Sequence, residues 1–243
     1  MTTSDTPRTA QQDKWERWWA GLDGTPGEIV WEADPADLDA DLGYFAGSFN
    51  PALPVVDLGC GDGRQTRFLA AHFPHVTGTD ISPAAIGRAR AAGNPPNVTF
   101  QVLDTRDTDA AARLHNQLGD ANVYIRGVLQ TLPPASRPSA VQTIAALLGT
   151  AGTLFAKELP PEASSYFADM TQRYGTPPGL AKVMQTIPPG QITLQELSAL
   201  FPADRFEVLN TGTSRMHTVN SLPGGPVISV PAIWLLARSG RTG

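Results

Sequence analysis

The stretch that most constrains this chain is an apolar run, Pro54 to Leu58, that breaks into three alternating glycines, Gly59, Gly61 and Gly63, and passes straight into a helical pattern. The run has the length and Val enrichment of a strand, and Phe68, Leu69 and Phe73 stand at helical spacing in the segment that follows. The glycines remove every Cβ that would keep a ligand off the backbone, while a helix starting near Arg64 aims its free N–H groups at the loop. This is the form of a turn that docks the polar end of a ligand. The dinucleotide fingerprint places its third glycine three positions after the second. Here that position is Arg64, which disfavours a nicotinamide or flavin cofactor.

With 243 residues, 41% of them hydrophobic, the chain can bury one large α/β core. Its net charge of −5 with scattered Lys and Arg gives no footprint for nucleic acid or an anionic membrane, so a small-molecule partner is expected, bound by a monomer or homodimer. The single cysteine, Cys60, excludes an intrachain disulfide and offers neither a zinc site nor a Cys–His nucleophile; it reads as a filler of the glycine loop, and no metal is expected. No run has the length of a membrane span or the form of a secretory signal, so a cytoplasmic location is expected.

Residues 1 to about 10 are polar and terminal. Trp15, Trp18, Trp19 and Leu22 then mark one face of a helix that holds three of the chain's five tryptophans, and Leu38, Leu42 and Phe45 mark a second helix before the first strand. Packing on the domain and closing over a substrate pocket are both open to the Trp face. His75 to Asp80 reads as the second strand and ends in a carboxylate able to accept from both hydroxyls of a ribose; Ser82-Pro83 can cap the next helix, leaving Asp80 free. Further strands are expected at 97–103, 120–126, 153–159, 206–213 and 232–237, with a loop over 212–225 between the last two. Thr193 and Glu196 form a capping-box signature, and the proline pairs Pro160-Pro161, Pro177-Pro178 and Pro188-Pro189 bracket short helices. Alternation of strands and helices predicts a mostly parallel, doubly wound sheet whose ligands bind at the C-terminal strand ends. Gly59, Gly61, Asp80, Asp104 and Arg126 all fall there.

Asp57-Leu58-Gly59-Cys60-Gly61-Asp62-Gly63 resembles the first motif of class I S-adenosylmethionine-dependent methyltransferases, and Asp80 to Ile86 is similar to that family's second-strand exit. The resemblance runs from about residue 53 to 159. It implies a seven-stranded Rossmann-like sheet with an antiparallel C-terminal pair and S-adenosylmethionine as cofactor. The implied cofactor residues are Asp57, Gly59, Cys60, Gly61, Asp80, Ile81, Asp104, Thr105 and Arg126, with Asp80 on the ribose and Asp104 on the adenine amino group. Gly127 to Pro134 looks like the fourth motif, except that Gln130 stands where a His is frequent, so that residue's role does not carry over. The Trp-rich lead-in with Thr25-Pro26 and Trp31-Glu32 is similar to thiopurine methyltransferase-like members, and the downstream pattern to a group of actinobacterial-type methyltransferases.

The expected organisation is an N-terminal helical lid, 1–50, on a methyltransferase core, 51–243, with a substrate-shaping insertion around 160–203. Trp19, Trp31, Gln130, Tyr166 and Arg215 are the candidate substrate residues. His217, in the expected 212–225 loop, and Glu158, at the end of the fifth strand, are the candidate bases; Arg126 is placed to pair with a substrate carboxylate, with Glu158 or with Asp104. The expected reaction moves a methyl group to oxygen or nitrogen of a metabolite or natural product. Two alternatives remain: the same fold holding S-adenosylmethionine structurally, as a cyclase or sensor, and a nicotinamide-dependent oxidoreductase.

Overall fold

The structure, a computed structural model, describes residues 9–187 and 190–240; residues 1–8, the Pro188-Pro189 pair and residues 241–243 lie outside the described residues. Seven strands form one sheet: β1 (Val55–Leu58), β2 (Val76–Asp80), β3 (Val98–Val102), β4 (Asn122–Arg126), β5 (Thr153–Glu158), β6 (Phe206–Ser221) and β7 (Val227–Ser239). Their order is β3-β2-β1-β4-β5-β7-β6, parallel from β3 to β5, with β7 antiparallel to β5 and β6 antiparallel to β7. The chain reverses direction of strand order between β1 and β4, so a crevice opens at the C-terminal ends of those strands.

Both faces of the central strands β2, β1, β4 and β5 are buried, and the two-residue period of each strand decides which side chain goes where. Val56, Leu58, Val123, Ile125, Leu154 and Ala156 point into one layer. That layer is closed by α5 (Thr108–Leu118), α6 (Arg137–Leu148) and α9 (Leu194–Ala199), the last started by the expected capping box of Thr193 and Glu196. Val55, Tyr124, Phe155 and Trp234 point the other way, onto Phe45, Phe49, Leu69 and Phe73. These come from α2 (Pro35–Phe45), α3 (Arg64–Leu69) and the turns that follow them.

The expected N-terminal lid is two different things. Helix α1 (Ala10–Ala20) lies over the C-terminal strand ends and packs on α4 (Pro83–Ala91), whereas α2 belongs to the core. Its Asp37 and Asp41, one turn apart and both buried, meet Lys157 of β5 and Arg126 of β4: Lys157 Nζ lies 2.6 Å from Asp41 and 3.3 Å from Asp37, and Arg126 Nη2 lies 2.9 Å from Asp37. The helical spacing of Leu38, Leu42 and Phe45 marks the apolar face of this helix and assigns these two acids no role. Arg126 is therefore paired with Asp37, and not with Glu158 or Asp104.

The last two strands are longer than expected. β6 runs to Ser221 and β7 begins at Val227, so the expected 212–225 loop is a hairpin with its turn at 222–226. Its polar sequence conceals a strand solvated on one face, where Met216 and Thr218 are buried while Arg215, His217 and Val219 are exposed. The far half of this hairpin leaves the main sheet, bridges Ala33 through Thr218, and packs with α7 (Glu162–Tyr174) and α8 (Pro178–Thr186) around Val30, Leu180 and Val230. Among the described residues no helix is long and apolar enough to cross a membrane.

Candidate active site

A cavity of about 480 Å³ opens at the strand ends, within the range usual for small-molecule sites. One end is the turn after β1. Gly59 and Gly61 both adopt positive φ, 85° and 56°. A side chain at Gly59 would collide with Val128, and a Cβ on Gly61 would come within 2.7 Å of the Trp19 ring. The bare backbone is thus required twice over, by conformation and by space.

Two carboxylates flank the turn. Asp57 Oδ2 accepts the Thr66 hydroxyl at 2.6 Å, and burial, reinforced by Asp80 and Asp62, pushes its pKa up to about 7. Asp80 accepts the Gly61 N–H on Oδ2 at 3.0 Å and the Ser82 N–H on Oδ1 at 2.9 Å; burial pushes it up to about 6. Asp80 is thus not free of backbone duties as expected, though each oxygen keeps a lone pair for a ligand. Cys60 lines the cavity, but burial and the two acids hold its thiol well above the ordinary range, so it is an inert neutral filler.

Helix α1 roofs this end and is clasped to α4 at its middle and at its C-terminal end. Glu16 accepts the Ser82 hydroxyl at 2.6 Å and the Ala84 N–H at 3.0 Å, sharing with Ser82 the cap of α4. Arg88 of α4 reaches back and donates to the carbonyls of Trp19, at 3.0 Å, and Leu22. The Trp face is divided between two surroundings: Trp18 is packed between Trp19 and Trp31, while Trp15 and Trp19 line the cavity. Trp15, placed on this face by its i, i+4 relation to Trp19, was not among the candidate substrate residues.

The other end of the cavity is apolar, with Trp31, Val30, Phe167, Leu180, Met216 and Val230 among its walls. Its charged members are matched: Glu32 is paired with Arg64, and Arg126 with Asp37. The structure brings Asp57, Gly59, Cys60, Gly61, Asp80, Ile81, Thr105, Arg126, Trp19, Trp31 and Gln130 to this one cavity.

Five sequence-derived candidates fall elsewhere. His217 and Arg215 are exposed on the outer face of β6, because the strand's alternation turns Met216 and Thr218 inward instead; Arg215 bonds Ser229 and stacks over Tyr166. Tyr166 spends its hydroxyl on the Ser229 N–H, and its neighbour Phe167 takes the place in the cavity wall. Asp104 has both oxygens gripped by Arg106, at 2.6 and 2.9 Å, and only Thr105 of that pair reaches the cavity. Glu158 is fully buried and accepts the N–H groups of Val128, Leu129 and Gln130 at 3.0–3.2 Å. It pins the turn after β4 and does not line the cavity.

This sheet order, a glycine turn after β1 and an acid ending β2 define the class I methyltransferase architecture. A family model described as a methyltransferase domain matches residues 55–152. A solved S-adenosylmethionine-dependent methyltransferase from Anabaena variabilis is 31% identical, with 99% of each chain covered and a TM-score of 0.85. The chain belongs to the S-adenosylmethionine-dependent methyltransferase family, and its cofactor is S-adenosylmethionine. Magnesium protoporphyrin IX methyltransferase of Synechocystis, 18% identical over 98% of this chain and all of that one, shares the fold with a TM-score of 0.55. Trans-aconitate 2-methyltransferase of Deinococcus radiodurans is 37% identical over 89 residues, which are 36% of this chain and 31% of that protein. The match thus spans about a third of that curated relative's length.

The residues present fit the cofactor. Bare backbone lies where a Cβ has no room, and two buried carboxylates face a cavity into which a cationic ligand would bring the compensating charge.

Proposed function

We propose that the protein methylates a small molecule with a substantial apolar body, at an oxygen or nitrogen that attacks without help from a protein base. The observation that carries this reading is the continuity of one cavity from the glycine turn to the tryptophan-walled end. S-adenosylmethionine supplies the methyl group as an electrophilic sulfonium when bound. Asp80 holds the ribose, the turn from Asp57 to Gly61 takes the amino-acid end, and Ile81 and Thr105 flank the base.

What remains for the chain is to align the acceptor and exclude water. Trp19 and Trp31 form the walls for this, with Gln130 fixed by its bond from the Leu159 N–H. Among the described residues that line the acceptor end there is no histidine, and the one carboxylate there, Glu32, is tied to Arg64. An acceptor already unprotonated near neutral pH, such as a carboxylate oxygen or a neutral amine, suits such a site. The trans-aconitate 2-methyltransferase relative is named for a substrate that is itself an organic acid.

The test is S-adenosylhomocysteine release on incubation with S-adenosylmethionine and panels of aromatic and long-chain acids, amines and phenols. Turnover confined to apolar acids or aromatic amines supports the reading. Turnover with phenols or alcohols alone would place a base where none lines the cavity, and would overturn it.

A further inference from the structure

Where α1 meets the turn after β4 a second, smaller cavity of about 370 Å³ opens, sharing the walls Gln11, Trp15, Gln130, Thr131, Leu132 and Ile187 with the first. Its chemistry is different. Its charged walls are Lys14 of α1 and Arg137 in the first turn of α6, and among the described residues that line it none is Asp or Glu. Arg137 is only 7% exposed, yet no carboxylate among the described residues lies within ion-pair distance of it. Its Nη2 donates to the Gln191 carbonyl at 2.8 Å, while its Nε is buried without a partner. The two acids near enough to feel its charge are engaged elsewhere, Glu158 by three backbone N–H groups and Glu196 by the Thr193 cap.

A guanidinium removed from water with an N–H left unpartnered and no counter-charge is costly unless an anion completes it. The fork suits a planar, two-oxygen partner. Resting on the function proposed above, we infer that this annex is an anion subsite, and that the acceptor substrate is an organic acid whose apolar body fills the tryptophan-walled cavity while an anionic group docks on Arg137 and Lys14. Trp15 stands on the boundary between the two, lining both. The anionic end thus sets how far the body reaches toward the methyl donor.

Two fluorescent probes of matched shape test this in the full-length protein saturated with S-adenosylhomocysteine: 8-anilinonaphthalene-1-sulfonate and its uncharged analogue N-phenyl-1-naphthylamine. The sulfonate is expected to bind more tightly than the neutral probe. Arg137→Gln should weaken the sulfonate about tenfold and Lys14→Gln a few-fold, with the neutral probe unchanged in both. Equal affinity of the wild type for the two probes, or parallel loss of both in the variants, overturns the subsite. Lys14 has no side-chain bond in the described structure, so its replacement reads charge without disturbing the Gln191 contact. Calorimetry with S-adenosylhomocysteine on the same samples separates the two readings: failure of the nucleoside to bind would sink the cofactor assignments, while charge discrimination between probes in its absence would still support the annex.

Discussion

At the scale of single residues, function rests on a few acids held out of water. Asp80 carries both the backbone of the glycine turn and the proposed ribose contacts, so Asp80→Asn should weaken S-adenosylmethionine binding about tenfold or more by calorimetry. Unaltered affinity would refute the ribose assignment. With Asp80 titrating at about 6 and Asp57 at about 7, both are largely neutral at pH 5 and ionised at pH 8. Binding of the cationic donor should therefore tighten as pH rises through this window and then level off. The rise should be shallower for S-adenosylhomocysteine, which lacks the sulfonium charge, and shallower in Asp57→Asn. The glycines and Asp80 were legible in the sequence because their roles are local, set by a turn and the strand beside it. Glu158 was not: an acid ending a strand turns either to the cavity or to a neighbouring backbone, and only the position of the turn after β4 decides.

Among the elements, α1 and the β6–β7 hairpin define the cavity, and they differ in how far sequence could foresee them. The Trp periodicity of α1 gave its helix and buried face. Its closure over the cofactor end depends on Glu16 and Arg88, which look like ordinary surface charges until α4 is alongside. If that clasp governs exit of the nucleoside, Glu16→Ala and Arg88→Ala should each speed S-adenosylhomocysteine release, measured by stopped-flow displacement, by about five- to twentyfold, as for the loss of a charged cap or hydrogen bond. Unchanged release rates would mean that α1 does not gate the site. The hairpin was half legible. Its inner strands follow from apolar runs, whereas the outer half, with one face wet, is indistinguishable by composition from the loop in which His217 was sought.

For the molecule as a whole, the same buried acids oppose folding when ionised. Asp57, Asp80 and Glu158 have folded-state pKa values raised by burial, so between the ordinary carboxylate range and about 7 the native protein binds more protons than the unfolded chain. Their contribution to stability is therefore lost as pH rises through that window. The ligand-free protein should lose more melting temperature between pH 5 and pH 8 than its Asp57→Asn variant, and scanning calorimetry at the two pH values checks this. Equal shifts would mean that Asp57 is not titrating there. The sheet order followed from the alternation of strand and helix. The seating of α2 in the core did not, because the ionic partners of Asp37 and Asp41 lie more than a hundred residues away on Lys157 and nearly as far on Arg126.

That buried quartet has an evolutionary corollary. Two acids and two bases cancel in charge under α2, and removing any one strands a charge at a cost of about 3–5 kcal/mol, whereas an all-apolar set of similar volume is tolerated. Mutational paths through single changes at these four positions are therefore steep. Among descendants of a common ancestor the quartet should be inherited as a block, kept whole or exchanged whole, and homologues holding Lys157 without an acid at position 41 should be rare.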